Sequence, residues 1–475
     1  MYLLIIFLLT FIFRSIFIFF FPETGGDYDI YSKVAKNILS GCGVSLSDPL
    51  LDDCVPHFGG NHGPGYDAFI SLIWYLTDYS NNAVRLIQAL IYSFFCIYLL
   101  YAVSKLVEKK IVIFSLGLVF AISPLLVAWP RYIQTETLAV AFTLFLISEI
   151  LISLKQNRVR IIGISIALTL STWIRLDSIF LTIPVAFCCF YIHGTRKGFF
   201  KGLVIACLLS TSWGFWTIRN IAVDLPSVIP TNMIMPDGSR SPTGYLNWTK
   251  TWITHEYEKP GSLWGVNRQN YNKIFIPEHA YFDDTEKAEV KNLIFELKKF
   301  DGKPFPEEID EKFYLLAEYK KNKYPFKFWF LNPLERIYKM WTNPFSSFGW
   351  PNEIPSEGLS HNERLNVAKG NINVLLLKIK KYPFRSISKG INAVYKFSIL
   401  ILYIYFLYFT FFKNKNDLIK FLGYVSLSYF VARTLFFSFN GMFETRYTVT
   451  IVPFMELFIC LCFFEKFFKK TMNTF

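Results

Sequence analysis

The chain has 475 residues, 53% of them hydrophobic, with 51 Phe, 27 Tyr and a formal net charge of +13. A soluble globule this apolar would carry surface it could not cover, and several apolar runs reach the roughly 20 residues that a bilayer crossing needs. A purely aqueous domain is therefore excluded, and the positive balance is read as a topology signal before it is read as a nucleic-acid footprint.

The first run, MYLLIIFLLTFIFRSIFIFFF, ends at Pro22. It has no basic leader and no small-residue cleavage site, so an uncleaved first span is expected. Arg14 is read as nearly the only ionisable residue deep in a span, able to snorkel outward. Candidate spans follow at 2–21, 83–104, 111–129, 136–154, 159–174, 176–193, 199–221, 391–413, 417–437 and 447–467. The stretch PGYDAFISLIWYL (64–76) is too short to cross.

Charge decides what that short stretch does. The segments KLVEKK (105–110), LKQNRVR (154–160), HGTRKGFFKG (193–202), KNKND (413–417) and EKFFKK (465–470) share the side of the N-terminus only if 64–76 does not cross. It is therefore read as a re-entrant or interfacial helix, with both termini cytoplasmic. The outer side then holds 22–82, WPRYIQTE (129–136), the RLD turn (175–177), the long segment 222–390 and FNGMFETRY (439–447). No internal repeat is present, which weakens a transporter reading.

Three units are predicted: a seven-span module, 1–222, with its first outer loop at 22–82; an external, mostly helical domain, 223–390; and a three-span module, 391–475. Within the external domain, DTEKAEVKNLIFELKKF (284–300) has helical spacing and NPLERIYKMW (332–341) reads as an amphipathic helix lying on the membrane. Asn247-Trp248-Thr249 is a glycosylation sequon, meaningful only in a host that glycosylates.

The first outer loop carries the densest signals. GGDYDIYSKVAKNILSG has apolar residues at 30, 34, 35, 38 and 39 and a stop at Gly41, which predicts a helix along the outer surface. Asp27 stands at its start. Thr24-x-x-Asp27 fits a capping box, so capping is one explanation and chemistry the other. Asp29 lies about 200° round the helix from Asp27, so the two acids do not share one reacting atom.

DYD also matches a metal-binding D-x-D pattern, but that pattern belongs to soluble α/β domains. His57 and His62, with Asp52 and Asp53, allow a metal site; plain loop histidines are the alternative, since no H-x-H or H-x-x-x-H pattern organises them. Cys42 and Cys54 allow a disulfide in an oxidising compartment or two free thiols, and spacing does not decide.

Four arginines, Arg131, Arg175, Arg219 and Arg446, reach the same outer level as Asp27. Arg is biased inward, so this cluster points to a held anion, and guanidinium forks suit phosphate. Glu136, Asn220 and Glu444 sit beside them. Interfacial anchoring or local ion pairing, as in Arg175 with Asp177, is the alternative for each.

These motifs carry a resemblance. GDYDIYSKVAKNILSG, HGPGYDAF, ISPLLVAW followed by TETLAVAF, WIRLDSIFLTIP, WTIRN and ETRYTVTIVPF, in that order, resemble the bacterial polyprenyl-phosphate-sugar glycosyltransferases of the GT-C fold. These are glycosyltransferase family 39, in the superfamily of protein O-mannosyltransferases and lipid A aminoarabinose transferases. The likeness covers the first seven spans well, the last span fairly and the external domain loosely.

The resemblance implies an all-α polytopic GT-C fold of about ten transmembrane helices, with interfacial helices in the first outer loop. It implies Asp27 as the catalytic acid of that loop. Candidate phosphate-binding residues are Arg131, Arg175, Arg219 and Arg446; candidate substrate contacts are Tyr28, Tyr31, His62, Glu136, Asn220 and Glu444. The family's PPGYP-like stretch stands here as GPGYD, with Asp67 in place of a proline.

The expected activity is transfer of a hexose or pentose from a polyprenyl-phosphate sugar to a lipid, glycan or protein hydroxyl. It is expected to be inverting, without metal or cofactor, in a monomeric inner-membrane protein whose site faces the periplasm and binds no nucleic acid. A glycan ligase or polymerase with a diphosphate donor, a lipid or glycan transporter, and a non-catalytic assembly protein are the other readings.

Overall fold

The computed structural model describes residues 2–47, 54–56, 63–225, 241–343, 371–414 and 416–467, with positions 350, 363 and 366. The described residues are built on helices, apart from one isolated bridge between Ser45 and Pro56. Six described helices are long and apolar enough to cross a membrane: Tyr2–Phe20, Asn81–Ser104, Glu136–Gln156, Leu176–Ala222, Ser386–Phe412 and Asp417–Phe439. Lys110–Ile122 and Ile161–Ile174 are shorter apolar helices. This is a multi-pass membrane protein.

The first membrane module comprises α1 (Tyr2–Phe20), α4 (Asn81–Ser104), α5 (Lys110–Ile122), α6 (Glu136–Gln156), α7 (Ile161–Ile174) and α8 (Thr182–Ala222); α2 (Tyr28–Leu39) and α3 (Gly65–Thr77) lie in its first loop. α6 is the axis. Its apolar residues run all round, as suits a helix with no free face, and 94% of its membrane-length window is buried. Thr143, Ser148 and Ser153 return their hydroxyls to the carbonyls of Ala139, Leu144 and Glu149 at 2.8, 2.7 and 2.6 Å, so these three hydroxyls are satisfied within the helix.

The two spans expected at 176–193 and 199–221 are joined as arms of α8. The helix breaks at Gly194 (φ 69°) and folds back at Gly198, where a Cβ would stand 2.7 Å from the Cys189 carbonyl oxygen. Only glycine permits both the left-handed turn and the close approach.

α2 and α3 pack on one another over one end of the bundle. Tyr31, Ala35, Tyr66, Ile70 and Trp74 share a core with Val84, Leu138, Phe142 and Ile174. The buried face of α2 is rotated from the predicted one: Tyr31, Val34, Ala35 and Asn37 are inside, while Ile38 and Leu39 are half-buried. Asn37 turns in because its Nδ2 donates to the Ser45 and Ser47 carbonyls, both at 2.8 Å, pinning the loop that the Cys42–Cys54 disulfide closes. In GPGYD, a Cβ on Gly63 or Gly65 would meet the Trp173 backbone at 2.8 or 2.9 Å, so these glycines seat α3 against the end of α7.

The segment between α8 and the last membrane helices, expected to be external, contains α9 (Thr243–Thr249), α10 (Lys259–Ser262), α11 (Trp264–Asn267), α12 (Asp284–Lys298), α13 (Glu307–Lys323) and α14 (Asn332–Thr342). The sequon lies on α9, with Trp248 and Thr249 buried. The core gathers Tyr245, Trp248, Val290, Leu297 and Phe313. A buried Lys320–Glu286 pair at 2.9 Å crosses it, and Trp248 Nε1 donates to the same glutamate oxygen at 2.9 Å. Burial is the chief cause that holds the Lys320 ammonium down to about 8, against the pull of Glu286.

The last helices are α15 (Ile372–Lys381), α16 (Pro383–Phe412), α17 (Asp417–Phe439) and α18 (Val452–Phe467). α14, expected to be amphipathic, packs its buried face on α17. Trp341 stacks on Phe430 at 4.6 Å and donates to Thr434 Oγ1 at 3.2 Å, both on α17, leaving Leu334 and Tyr338 exposed. Arg336, buried, donates to the carbonyls of Lys250, Ile253 and Ser438 and so ties the external segment to α17.

The expectation for charge inside the spans is corrected. Arg14 does not snorkel: it is fully buried, donates to the carbonyls of Thr10, Phe120 and Ala121, and lies 3.6 Å over the Tyr92 ring. Glu149, Lys396, Arg433 and Glu456 are also buried on membrane helices. They were missed because each is a single charge within an otherwise apolar run.

Arg336→Leu is expected to strip three buried carbonyls of their donor, at about 1–3 kcal/mol for each group left unsatisfied. The variant should unfold several degrees lower and expose the Met340–Asn343 region to protease, measured by thermal unfolding and limited proteolysis in detergent.

Candidate active site

The chain leaving α1 is fastened before it reaches Asp27. Glu23 N donates to the Arg131 carbonyl at 3.1 Å, and Ile133 N to the Thr24 carbonyl at 3.2 Å. Arg85 clamps both strands of this crossing, donating to Arg131 O and Glu23 O at 2.9 Å each. Gly25 (φ +92°) then turns the chain where a Cβ would overlap Gln134.

Asp27 sits at the N-cap of α2, and its side chain makes no capping hydrogen bond. Its Oδ2 instead accepts from Arg446 Nη1 at 2.7 Å, across 419 positions of sequence. The Asp27 carboxylate is partly open, at 28% side-chain exposure, and Arg446 less so, at 16%. Asp29 is exposed on the far side.

Arg446 belongs to a ladder. Its Nε lies 2.7 Å from Glu444 Oε2, and Glu444 Oε1 accepts from Lys259 at 3.1 Å. Burial raises the affinity of Glu444 for its proton, but Lys259 and Arg446 together outweigh it and hold the carboxyl below its ordinary range. Burial likewise disfavours the charged Arg446, and Tyr447, Glu444 and Asp27 outweigh that too.

A second ladder stands beside the first. Arg175 donates to Glu136 Oε1 at 2.8 Å, Thr135 Oγ1 at 3.0 Å and Asp177 Oδ2 at 3.0 Å; Arg433 meets the same Asp177 oxygen at 2.8 Å. Burial disfavours the charged form of Arg175, and the fields of Asp177 and Glu136 outweigh it. Glu136 also acts on Arg446, and Arg446 on Arg175, so the ladders share one field.

Tyr31 closes this region from α2, edge-on to Tyr66 with centroids 4.9 Å apart. Its phenol is pushed well up, first by burial and then by Asp27 and Glu136. Asp67 of GPGYD, fully buried, adds a third acid to that field. Tyr28 points aside, its hydroxyl accepting from Asn81 Nδ2 at 2.9 Å.

The four arginines therefore part company. Arg175 and Arg446 join Asp27, Glu136 and Glu444. Arg131 is buried and spends its guanidinium on the carbonyls of Phe21 and Trp350 and on the Tyr132 hydroxyl. Arg219 turns to the disulfide loop, donating to Val44 O and Asn220 Oδ1 at 3.1 Å each. His62, with His57, Asp52 and Asp53, lies outside the described residues. Arg433 and Lys259 were missed: one is a single cation in an apolar run, the other one lysine among many in a charged segment. No local pattern marks either.

These features define a class: a membrane protein that gathers carboxylates and guanidinium groups at one end of a helix bundle. Residues 61–216 match the family model of dolichyl-phosphate-mannose-protein mannosyltransferases. With the helical membrane architecture, this similarity supports a GT-C, family-39-like membrane glycosyltransferase of the mannosyltransferase type. No curated protein and no solved structure gives a significant match.

Because the Glu444 carboxyl is held below 4.5 in the folded protein, its contribution to stability is complete above that pH and is lost as pH falls through the lower folded value. The thermal-stability gap between wild type and Glu444→Gln should be constant from neutral pH down to about 5 and should close below about 4.5. Unfolding curves over that range in detergent check this.

Proposed function

We propose that the chain transfers a sugar from a polyprenyl-phosphate donor to an acceptor hydroxyl at the outer face of the membrane, with Asp27 as general base. The observation that carries this reading is the direction of the Asp27 carboxylate. It gives up the helix cap beside it and pairs with Arg446 near the end of the chain. A capping role would not need that pairing.

The chemistry follows from the groups present. Asp27 takes the proton of the acceptor hydroxyl as its oxygen bonds to the anomeric carbon. The bond from that carbon to the phosphate oxygen breaks, and its electron pair leaves with the polyprenyl phosphate. One displacement through an oxocarbenium-like transition state inverts the anomeric centre. Charge grows on the phosphate as the bond breaks, and Arg446 is a cation beside the base that can meet it.

Arg446 is shared between Asp27 and Glu444, so it can lean to the phosphate while Glu444 keeps it charged and in place. Glu136, Arg175, Asp177 and Arg433 hold the floor beneath. Tyr31, Asn220 and the loop carrying His62 are proposed acceptor and sugar contacts. Arg131 is assigned to holding the Asp27 loop rather than to phosphate. The positions of the basic loops support an inner-membrane placement with this face outward.

In lipid nanodiscs with a panel of polyprenyl-phosphate sugars, Asp27→Asn should lower release of polyprenyl phosphate by about 10²–10⁴-fold, the usual worth of a general base, without lowering the unfolding temperature. Full activity in Asp27→Asn would discard the assignment. Arg131→Gln should act oppositely, lowering the unfolding temperature while the folded fraction keeps most of its turnover.

A further inference from the structure

The helix that carries Arg336 is longer than α14. Lys327–Leu331 is wound as a π-helix and leads straight into α14, so the helical run is continuous from 325 to 342. Along it Phe326, Trp329, Phe330, Leu331, Leu334 and Tyr338 are all between 49% and 64% exposed. Single exposed apolar side chains are ordinary, but six on one helix make a patch that a water-facing surface rarely carries. Leu331, Leu334 and Tyr338 fall within about 60° of one another round the axis, with Glu335 and Lys339 on one flank. The opposite side, with Asn332, Arg336, Met340 and Trp341, is buried in protein.

Two membrane helices fix the height of this run. Trp341 meets Phe430 and Thr434 on α17, Arg336 reaches the Ser438 carbonyl, and the Trp329 ring lies 6.4 Å from Phe439. Lys396 on α16 donates to the Met340 carbonyl at 3.0 Å. An apolar core of about 30 Å takes about 20 helical residues. Counted from Phe412 and Asp417, where α16 and α17 are joined, that core ends near Asn392 and Phe437. The run from 325 to 342 therefore follows the edge of the core, and its last turn passes inside it.

The end of the helix is built for such a place. The last carbonyls of a helix lack onward partners, and water normally serves them. Here Tyr338 O accepts from Thr342 Oγ1 at 2.6 Å, Lys339 O from Asn343 N at 2.9 Å and Met340 O from the Lys396 ammonium. Backbone at membrane depth has to be satisfied by protein in this way. Lys396 is only 6% exposed, so a cation from a membrane helix stands where solvent would, at the negative end of the helix dipole.

We propose that the helix over 325–342 anchors the segment between α8 and the last membrane helices in the bilayer, with acyl chains of the surrounding phospholipids covering Phe330, Leu331, Leu334 and Tyr338. The partner is hydrocarbon because the stripe continues the flank of a membrane helix at Phe439, itself exposed, and lies level with the edge of the apolar core. Arg336 carries the anchor's position to the Lys250 and Ile253 carbonyls, and the chain runs on from there to Lys259, which pairs with Glu444. The depth of the anchor thus sets where Lys259 stands. The assignment is independent of the sugar donor.

Hydroxyl-radical footprinting of the wild-type chain, in nanodiscs of phosphatidylcholine and phosphatidylglycerol, tests this without a substitution. Tyr338 is 61% exposed and Tyr314, on α13, is 46% exposed, so a surface free of lipid oxidises Tyr338 at least as fast as Tyr314. The anchor requires the reverse: loss of label at Tyr338 and Leu334, with Tyr314 and Leu315 labelled. Leu334→benzoylphenylalanine, photolysed in the same nanodiscs and read by mass spectrometry, then identifies what covers the stripe, and a phospholipid adduct is expected. Tyr338→benzoylphenylalanine is the second probe if the first variant does not fold.

Labelling of Tyr338 as fast as Tyr314 overturns the anchor. Protection of Tyr338 together with an adduct to a second copy of the chain also overturns it, and makes the stripe an interface between copies. Phospholipid adducts at equal yield from Tyr314→benzoylphenylalanine overturn the depth assigned to the helix.

Discussion

Charge cannot stand alone where water is scarce, and this molecule is organised around that constraint. Its interior holds Arg175, Arg433, Arg446, Glu136, Asp177 and Glu444 at one end of the bundle, and each is bound to an opposite charge. Such pairs are not strong sources of stability, since desolvation offsets much of their attraction. Their value is specificity. Removing one partner leaves the other charged and buried, so only one arrangement of these segments satisfies all of them. The ladders join α6, α7, the turn at Arg175–Asp177, α17 and the Thr445–Thr448 turn, and through Lys259 they reach the external segment.

The same constraint explains why Asp27 is placed by other residues' backbones. Arg85 and Arg131 spend their guanidinium groups on carbonyls around the α1 exit. That crossing holds the loop rigid enough for a carboxylate to leave its own helix cap. In the proposed reaction, a carboxylate held on this loop, partly open and facing a shared cation, would be pre-organised to take a proton beside a departing anion. The external segment contributes at a distance, with Arg336 fastening it to α17 and Lys259 carrying its charge into the ladder.

Much of the architecture was legible in the chain. Apolar runs gave the membrane helices, and the short apolar stretch at 64–76 is the helix α3. Gly63 and Gly65 were visible as punctuation, but their reason, the Trp173 backbone, was not. Where the reading slipped, long-range contacts were the cause. α2 rotated to bury Asn37 because a loop ten residues on needed its amide. α14 set Trp341 against α17, a partner that its own amphipathic pattern could not name.

The sequence by itself determined that this is a helical membrane protein, because periodicity and hydropathy are local properties. Which charges meet was decided only by tertiary structure. Arg131 and Arg446 look alike in their motifs, yet one is spent on backbone carbonyls and the other faces Asp27. Arg433 and Lys396 are single cations in apolar runs. Their partners lie far along the chain, and in a low-dielectric interior the identity of a charge's partner decides what that charge can do.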